Sequence, residues 1–207
     1  MKLADGKSMR EADERAIRDF GIPSVKLMEN ASFALAKKAA ELAKGSKSAL
    51  IFCGSGNNGG DGVGAAAVLL GMGFKVRALL VGERQKLSKD CAEMERRLNR
   101  LGGMLEDFDE KENYSPDSFG VLVDAMFGTG FRGTLIGGAA TAAELMNRSN
   151  TPTVAADIPS GVHADTGAVL GPAVLADATV AFSLPKIGHF VEPGCVFAGE
   201  LAVADIG

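Results

Sequence analysis

Short apolar runs alternate with stretches of helical spacing along almost the whole chain, and this alternation restricts the possible folds more than any single residue does. Residues 48–53 (SALIFC), 74–81 (FKVRALLV), 120–125 (GVLVDA), 153–157 (TVAAD) and 178–183 (ATVAFS) read as strands, with shorter ones at 104–107 and 201–205. Between them, Gly62–Met72, Ser88–Leu101 and Ile136–Asn147 have helical character; Cys91, Met94, Leu98 and Leu101 form the inner stripe of the second. Two helices precede the first strand. Ser8-Met9-Arg10-Glu11 has the form of a capping box, with Met9, Ala12, Ala16 and Phe20 on one face of the helix that follows. Gly21 stops that helix, and Pro23 opens another to about Ala43 with Leu27, Ala31, Leu35, Ala39 and Leu42 inward. Strands alternating with helices predict a mostly parallel sheet with right-handed crossovers and helices on both faces: an α/β, three-layer αβα, Rossmann-like sandwich. The 207 residues suffice for one domain spanning 1–207, and no internal repeat divides them.

Charge and cysteine usage exclude several classes. Twenty-two basic against 26 acidic residues leave a net charge of −4, and no basic stripe runs along any segment, so nucleic acid is not the expected partner. Arg96, Arg97 and Arg100 are interleaved with Asp90, Glu93 and Glu95, the pattern of a solvated helix face. Cys53, Cys91 and Cys195 are odd in number and contain no CxxC, which suits a reducing compartment. The charged N-terminal stretch lacks the apolar core of a signal peptide. The longest apolar uncharged stretch, Gly62–Phe74, is too short for a bilayer. A soluble, cytoplasmic protein without membrane contact is the expectation.

Chemistry concentrates where three strands end. SALIFC runs into Gly54-Ser55-Gly56-Asn57-Asn58-Gly59-Gly60-Asp61-Gly62, GVLVDA into Met126-Phe127-Gly128-Thr129-Gly130-Phe131-Arg132-Gly133, and TVAAD into Ile158-Pro159-Ser160-Gly161. Parallel strands put all three loops on one edge, where open α/β sheets bind ligands. Gly54, Gly56 and Gly59 satisfy GxGxxG, and a helix N-terminus after such a turn favours a phosphate. The acid a dinucleotide site wants after its second strand has only Glu83 as a loose match, and no P-loop exists. Asn57 and Asn58 suit a turn, and Asp61 suits a helix cap. Asp124 and Asp157 stand at the ends of apolar strands, where an unpaired carboxylate is costly filler. Ser160, His163 and His189 each admit a structural role, and Lys186 reads equally as a phosphate partner or as a snorkelling surface lysine. Asp157, Ser160 and His163 are too close in sequence for a hydrolytic triad, and no GxSxG elbow is present. An NAD(P)-dependent dehydrogenase using Glu83 and a non-catalytic nucleotide-binding module remain the alternatives on residues alone.

Five segments resemble the NAD(P)H-hydrate epimerase family, known also by its YjeF N-terminal domain: GIPSVKLMENAS (21–32), CGSGNNGGDGVGAA (53–66), VDAMFGTGFRG (123–133), DIPSGVHADTG (157–167) and FSLPKIGHF (182–190). Ser32 stands where the family pattern has glycine. The resemblance implies an isomerase that interconverts the R and S forms of hydrated NADH and NADPH, so that a dehydratase partner or fused dehydratase domain can restore the cofactor. It implies a homodimer with one potassium ion per subunit. Substrate contacts would come from Asn57, Asn58, Gly59, Gly60, Asp61, Gly128, Thr129, Gly130, Phe131, Arg132, Gly133, Thr134 and Asp157. Potassium would be held by Asn58, Asp124 and Ser160, whose hard oxygens suit it. Asp157, a strand-end carboxylate, is the expected acid–base catalyst.

Overall fold

A computed structural model describes residues 2–207. Seven strands form one sheet: β1 (Ser48–Cys53), β2 (Lys75–Leu80), β3 (Leu105–Asp107), β4 (Val121–Ala125), β5 (Thr153–Ala156), β6 (Ala178–Phe182) and β7 (Glu200–Ala204). Their order is β3-β2-β1-β4-β5-β6-β7, and every pairing is parallel. The six helices are α1 (Gly6–Phe20), α2 (Ser24–Leu42), α3 (Asn57–Gly71), α4 (Lys89–Arg100), α5 (Gly138–Asn147) and α6 (Gly194–Phe197).

The central strands β1, β4, β5 and β6 are covered on both faces. Ala49, Ile51 and Cys53 of β1 join Val121, Val123 and Ala125 of β4 in a core with α2, α3 and α4. Leu50, Phe52 and Leu122 face the other way, against Ala142, Ala143 and Met146 of α5 and against Tyr114. After β3 the chain returns past β1 to place β4, so β1 and β4 are neighbours whose connections leave in opposite directions, the switch point of a doubly wound sheet. The five main strands, the helices and the α/β sandwich agree with the pattern in the sequence. No helix of the described residues is long and apolar enough to cross a membrane.

Four local expectations fail. The α1 cap is Asp5, which accepts the Ser8 N–H (2.7 Å), so Ser8 lies inside the first turn instead of capping it. Nor is the expected stripe on α1 buried: Ala12 is exposed and Phe20 is 74% exposed, whereas Met9 is buried. Most unexpectedly, the Asn57–Gly62 segment is not a loop. It is the start of α3, which begins five residues before the expected Gly62. Glycine lowers helix propensity, but this helix must lie against its neighbours without side chains. A Cβ at Gly59 would sit 1.7 Å from the Gly54 carbonyl oxygen, and one at Gly62 would meet Ala125 Cβ at 2.4 Å. At the end of α4, Leu101 lies beyond the last turn and is 59% exposed, outside the stripe of Cys91, Met94 and Leu98.

Candidate functional site

The carboxyl ends of β1, β4 and β5 open into a cleft of about 700 Å³. Its walls are the first turns of α3, the segment after β4, Asp157 after β5, and one face of α1. The floor is tight at the switch point: a Cβ at Gly54 would lie 2.0 Å from the Met126 carbonyl oxygen, so the β1 and β4 ends touch backbone to backbone. Helix α3 is capped by Gly56 with no side-chain acceptor. Its leading amides therefore face the cleft with the positive end of the helix dipole behind them, an arrangement suited to an anion.

Asp157 is held in the left-handed region (φ 65°), a conformation that Asp tolerates better than most residues. Its carboxylate accepts Lys186 Nζ–H and the Phe182 N–H (3.2 Å) at Oδ1. Lys186 is only 1% exposed and donates also to the Phe182 carbonyl (3.0 Å), so the ion pair is fully built into the fold. His189 completes the frame. Its Nδ1 accepts the Lys186 backbone N–H (3.0 Å), which puts the ring proton on Nε2, where it donates to the Asp157 carbonyl (2.9 Å). Burial pushes the His189 imidazole down to about 4, so the ring is neutral and purely a brace.

Two further carboxyl groups face this pair. Asp61, on α3, is 8% exposed, and burial first, then the charges of Asp157 and Asp13, push its carboxyl well above the ordinary carboxylate range. Asp13, on α1, is raised by partial burial and by Asp157, with Lys186 opposing. Three acids therefore share one ammonium group, and in such a cluster at least one is favoured to hold a proton.

A second corner lies beneath the cleft. Asp124 is entirely buried and accepts from Ser160 N–H (2.7 Å), Ser160 Oγ–H (2.6 Å) and Met126 N–H (3.1 Å). Burial moves its carboxyl up to about 6 although those donors pull it down. Ser160 Oγ in turn accepts the Phe127 N–H (2.9 Å), joining the β4 and β5 ends. Asn58 abuts Gly128, where a Cβ would come within 3.0 Å of Asn58 Oδ1. The other end of that amide, Nδ2, is buried without a partner, and turning the amide over would place its oxygen there. Among the described residues no cluster of three His, Cys, Asp or Glu groups suits a metal ion. One carboxylate with a hydroxyl, an amide and main-chain carbonyls is instead a donor set for a hard, weakly charged cation, so these residues fit the ion expected of them.

Of the residues expected to touch substrate, Asn57, Asn58, Asp61, Gly128, Thr129, Gly130, Phe131 and Asp157 line the cleft together. Gly59 and Gly60 are buried in α3, where Gly60 packs on Met28 and Cys91. Arg132, Gly133 and Thr134 lie outside the cleft wall. The Arg132 guanidinium donates to the carbonyls of Thr129 (2.9 Å) and Phe131 (2.7 Å) and pairs with Asp165 (3.1 Å), so it shapes its own loop. Glu83 lines the cleft but is paired with Lys86 at 2.5 Å.

Three participants escaped the sequence pattern. Asp13 lies one turn from Met9 and one from Ile17, and all three line the cleft; an acid inside that i, i+4 stripe is the signal that marks it. Lys186 reads from sequence as a phosphate partner or a surface lysine, and neither reading anticipates its burial and pairing with Asp157. Asp165 accepts the Gly6 N–H (2.6 Å) through one oxygen and pairs with Arg132 through the other, tying α1 to the β4 loop.

Known proteins resemble this chain in sequence and in fold. The family described as YjeF-related protein N-terminus matches residues 24–188. A "Bifunctional NAD(P)H-hydrate repair enzyme Nnr" of Moorella thermoacetica is 38% identical over all of this chain, which spans 41% of that enzyme's length. An "NAD(P)H-hydrate epimerase" of Oenococcus oeni is 35% identical over 97% of this chain and 94% of its own length. In three dimensions the chain superimposes on the crystal structure of a yeast protein, YNL200c, with a TM-score of 0.78, covering 91% of this chain and 83% of that one at 23% identity, a likeness of fold. With the matched segment running from α2 to the turn that carries Lys186, and a relative aligned almost end to end, the chain belongs to the YjeF-related N-terminal family.

Proposed function

We propose that this chain is an NAD(P)H-hydrate epimerase, an isomerase that interconverts the R and S forms of hydrated NADH and NADPH. The observation that carries this reading is the convergence of Asn57, Asn58, Asp61, the Gly128–Phe131 loop and Asp157 on one cleft, beside a buried ammonium and a bare helix N-terminus. The names borne by the Moorella and Oenococcus relatives support it.

The reacting carbon carries a hydroxyl next to the ring nitrogen. Inverting it means losing and regaining either the hydroxyl or the nitrogen, and both routes require a proton to be given and taken back. Asp157 can exchange that proton, and Lys186 and the His189 brace hold its carboxylate in place. The α3 amides suit a substrate phosphate. Asn58, Asp124 and Ser160 would hold a potassium ion, which when bound would supply fixed positive charge beneath the α3 turn. Arg132, Gly133 and Thr134 serve this reading by shaping the loop. A homodimer in the cytoplasm, working with a dehydratase partner, belongs to the same proposal and rests on the resemblance.

The test is direct. The purified protein is incubated with one isolated epimer of hydrated NADPH, and both epimers are followed by chromatography. Appearance of the second epimer well above an enzyme-free control is expected. A constant epimer ratio overturns the reading.

A further inference from the structure

We propose that Asp61 is a second catalytic acid–base group, exchanging protons with the substrate hydroxyl opposite Asp157, an inference that rests on the epimerase reading of the cleft. Asp61 lines the cleft at only 8% exposure, and no donor among the described residues reaches its carboxyl. Capping cannot account for it. Asp5 shows what a capping aspartate does here, taking the Ser8 N–H, whereas Asp61 lies inside α3, four residues past its first residue, Asn57. A carboxyl that meets the cleft with no protein donor is left to a ligand, and such groups collect at functional sites.

The two carboxyls of the cleft have opposite surroundings. Asp157 is tied to the Lys186 ammonium and to the Phe182 N–H. Asp61 has neither. The charged groups that face it are Asp157, Asp13 of α1 and Lys186, and the first two disfavour its ionisation. Behind it, the Cys91 thiol of α4 is itself pushed up to about 12 and is neutral. The cleft thus sets an acid whose ionised form its neighbours disfavour opposite a carboxylate paired with an ammonium, the division of labour that acid–base pairs require.

The chemistry then balances without a co-reactant other than water. Asp61 gives its proton to the departing hydroxyl. The C–O bond breaks, water leaves, and the ring-nitrogen lone pair stabilises the cation. A water adds to the other face of the carbon, and Asp157 takes the proton it releases. One conversion leaves Asp61 ionised and Asp157 protonated, the state that runs the reverse conversion.

The experiment follows one epimer of hydrated NADPH in H₂¹⁸O, measuring epimer ratio by chromatography and label by mass spectrometry. In the unmodified protein, inverted product should carry solvent oxygen. Asp61→Asn, which keeps the side chain's size, should slow inversion by about 100-fold or more. Entry of label into the starting epimer should fall with it while the melting temperature is retained, because releasing the hydroxyl needs the proton that Asp61 supplies. Inversion that does not fall, or exchange that persists when inversion is lost, overturns the role of Asp61. Inversion in the unmodified protein without uptake of label overturns it too. No inversion by the unmodified protein would instead remove the epimerase reading.

Discussion

Lys186 reaches Asp157 through its side chain and fixes the backbone of the same residue through His189, whose ring accepts the lysine's own N–H and donates to the Asp157 carbonyl. Carboxylate, ammonium and imidazole therefore form one closed unit at the end of β5. Removing the ammonium leaves a buried carboxylate facing two other acids. Lys186→Met is expected to cost about 3–5 kcal/mol of stability, measured by urea denaturation. Adding Asp157→Asn should recover part of the loss, because it removes the orphaned charge.

The His189 brace makes stability depend on pH with a definite sign. Its folded-state value, about 4, lies below the ordinary 6.5. Its contribution is therefore complete above about 6.5 and is lost as pH falls toward 4, amounting to about 3 kcal/mol. Protonation also removes the acceptor that the Lys186 N–H uses. Denaturation midpoints for unmodified protein and His189→Asn, compared at pH 7.5 and 4.5, should converge at the lower pH. A constant gap would contradict the neutral brace.

Two glycines of one motif should respond oppositely to alanine. Gly59→Ala drives a methyl into the Gly54 carbonyl oxygen at 1.7 Å, with backbone on both sides and nothing free to move. A loss of about 3 kcal/mol or more is expected. Gly56 has φ −83° and open space around its Cβ position, so Gly56→Ala should change stability by no more than about 0.5 kcal/mol. Thermal melts of both variants decide whether the motif's glycines serve packing or flexibility.

If Asn58, Asp124 and Ser160 hold potassium, KCl should raise the melting temperature above that in choline chloride at equal ionic strength. Asp124→Asn and Ser160→Ala should abolish the difference. An increase that survives both substitutions would locate the ion elsewhere.

Asp165 holds α1 against the β4 loop through Gly6 and Arg132. Asp165→Ala should speed hydrogen exchange in residues 2–20 and 128–134 together, and raise KM more than it lowers kcat. Faster exchange in only one of the two segments would show that they are not coupled.

The layers of the sandwich and the edge on which the chemistry gathers were set by the sequence itself. Apolar runs such as SALIFC and VLVDA can be buried only on both faces, and a carboxylate such as Asp124 or Asp157 at the end of one must meet a partner. Local pattern carries that much because burial repeats with the period of each element. It misread Asn57–Gly62 as a loop, since glycine disfavours helices in isolation, and only the contact with Gly54, Met28 and Ala125 shows why a helix there has to lack side chains. The meeting of Asp13, Lys186 and Asp61 was decided by tertiary structure. They come from α1, the turn after β6 and α3, and their meeting depends on how those elements cross. Electrostatic coupling follows distance in space, and no spacing along the chain records it.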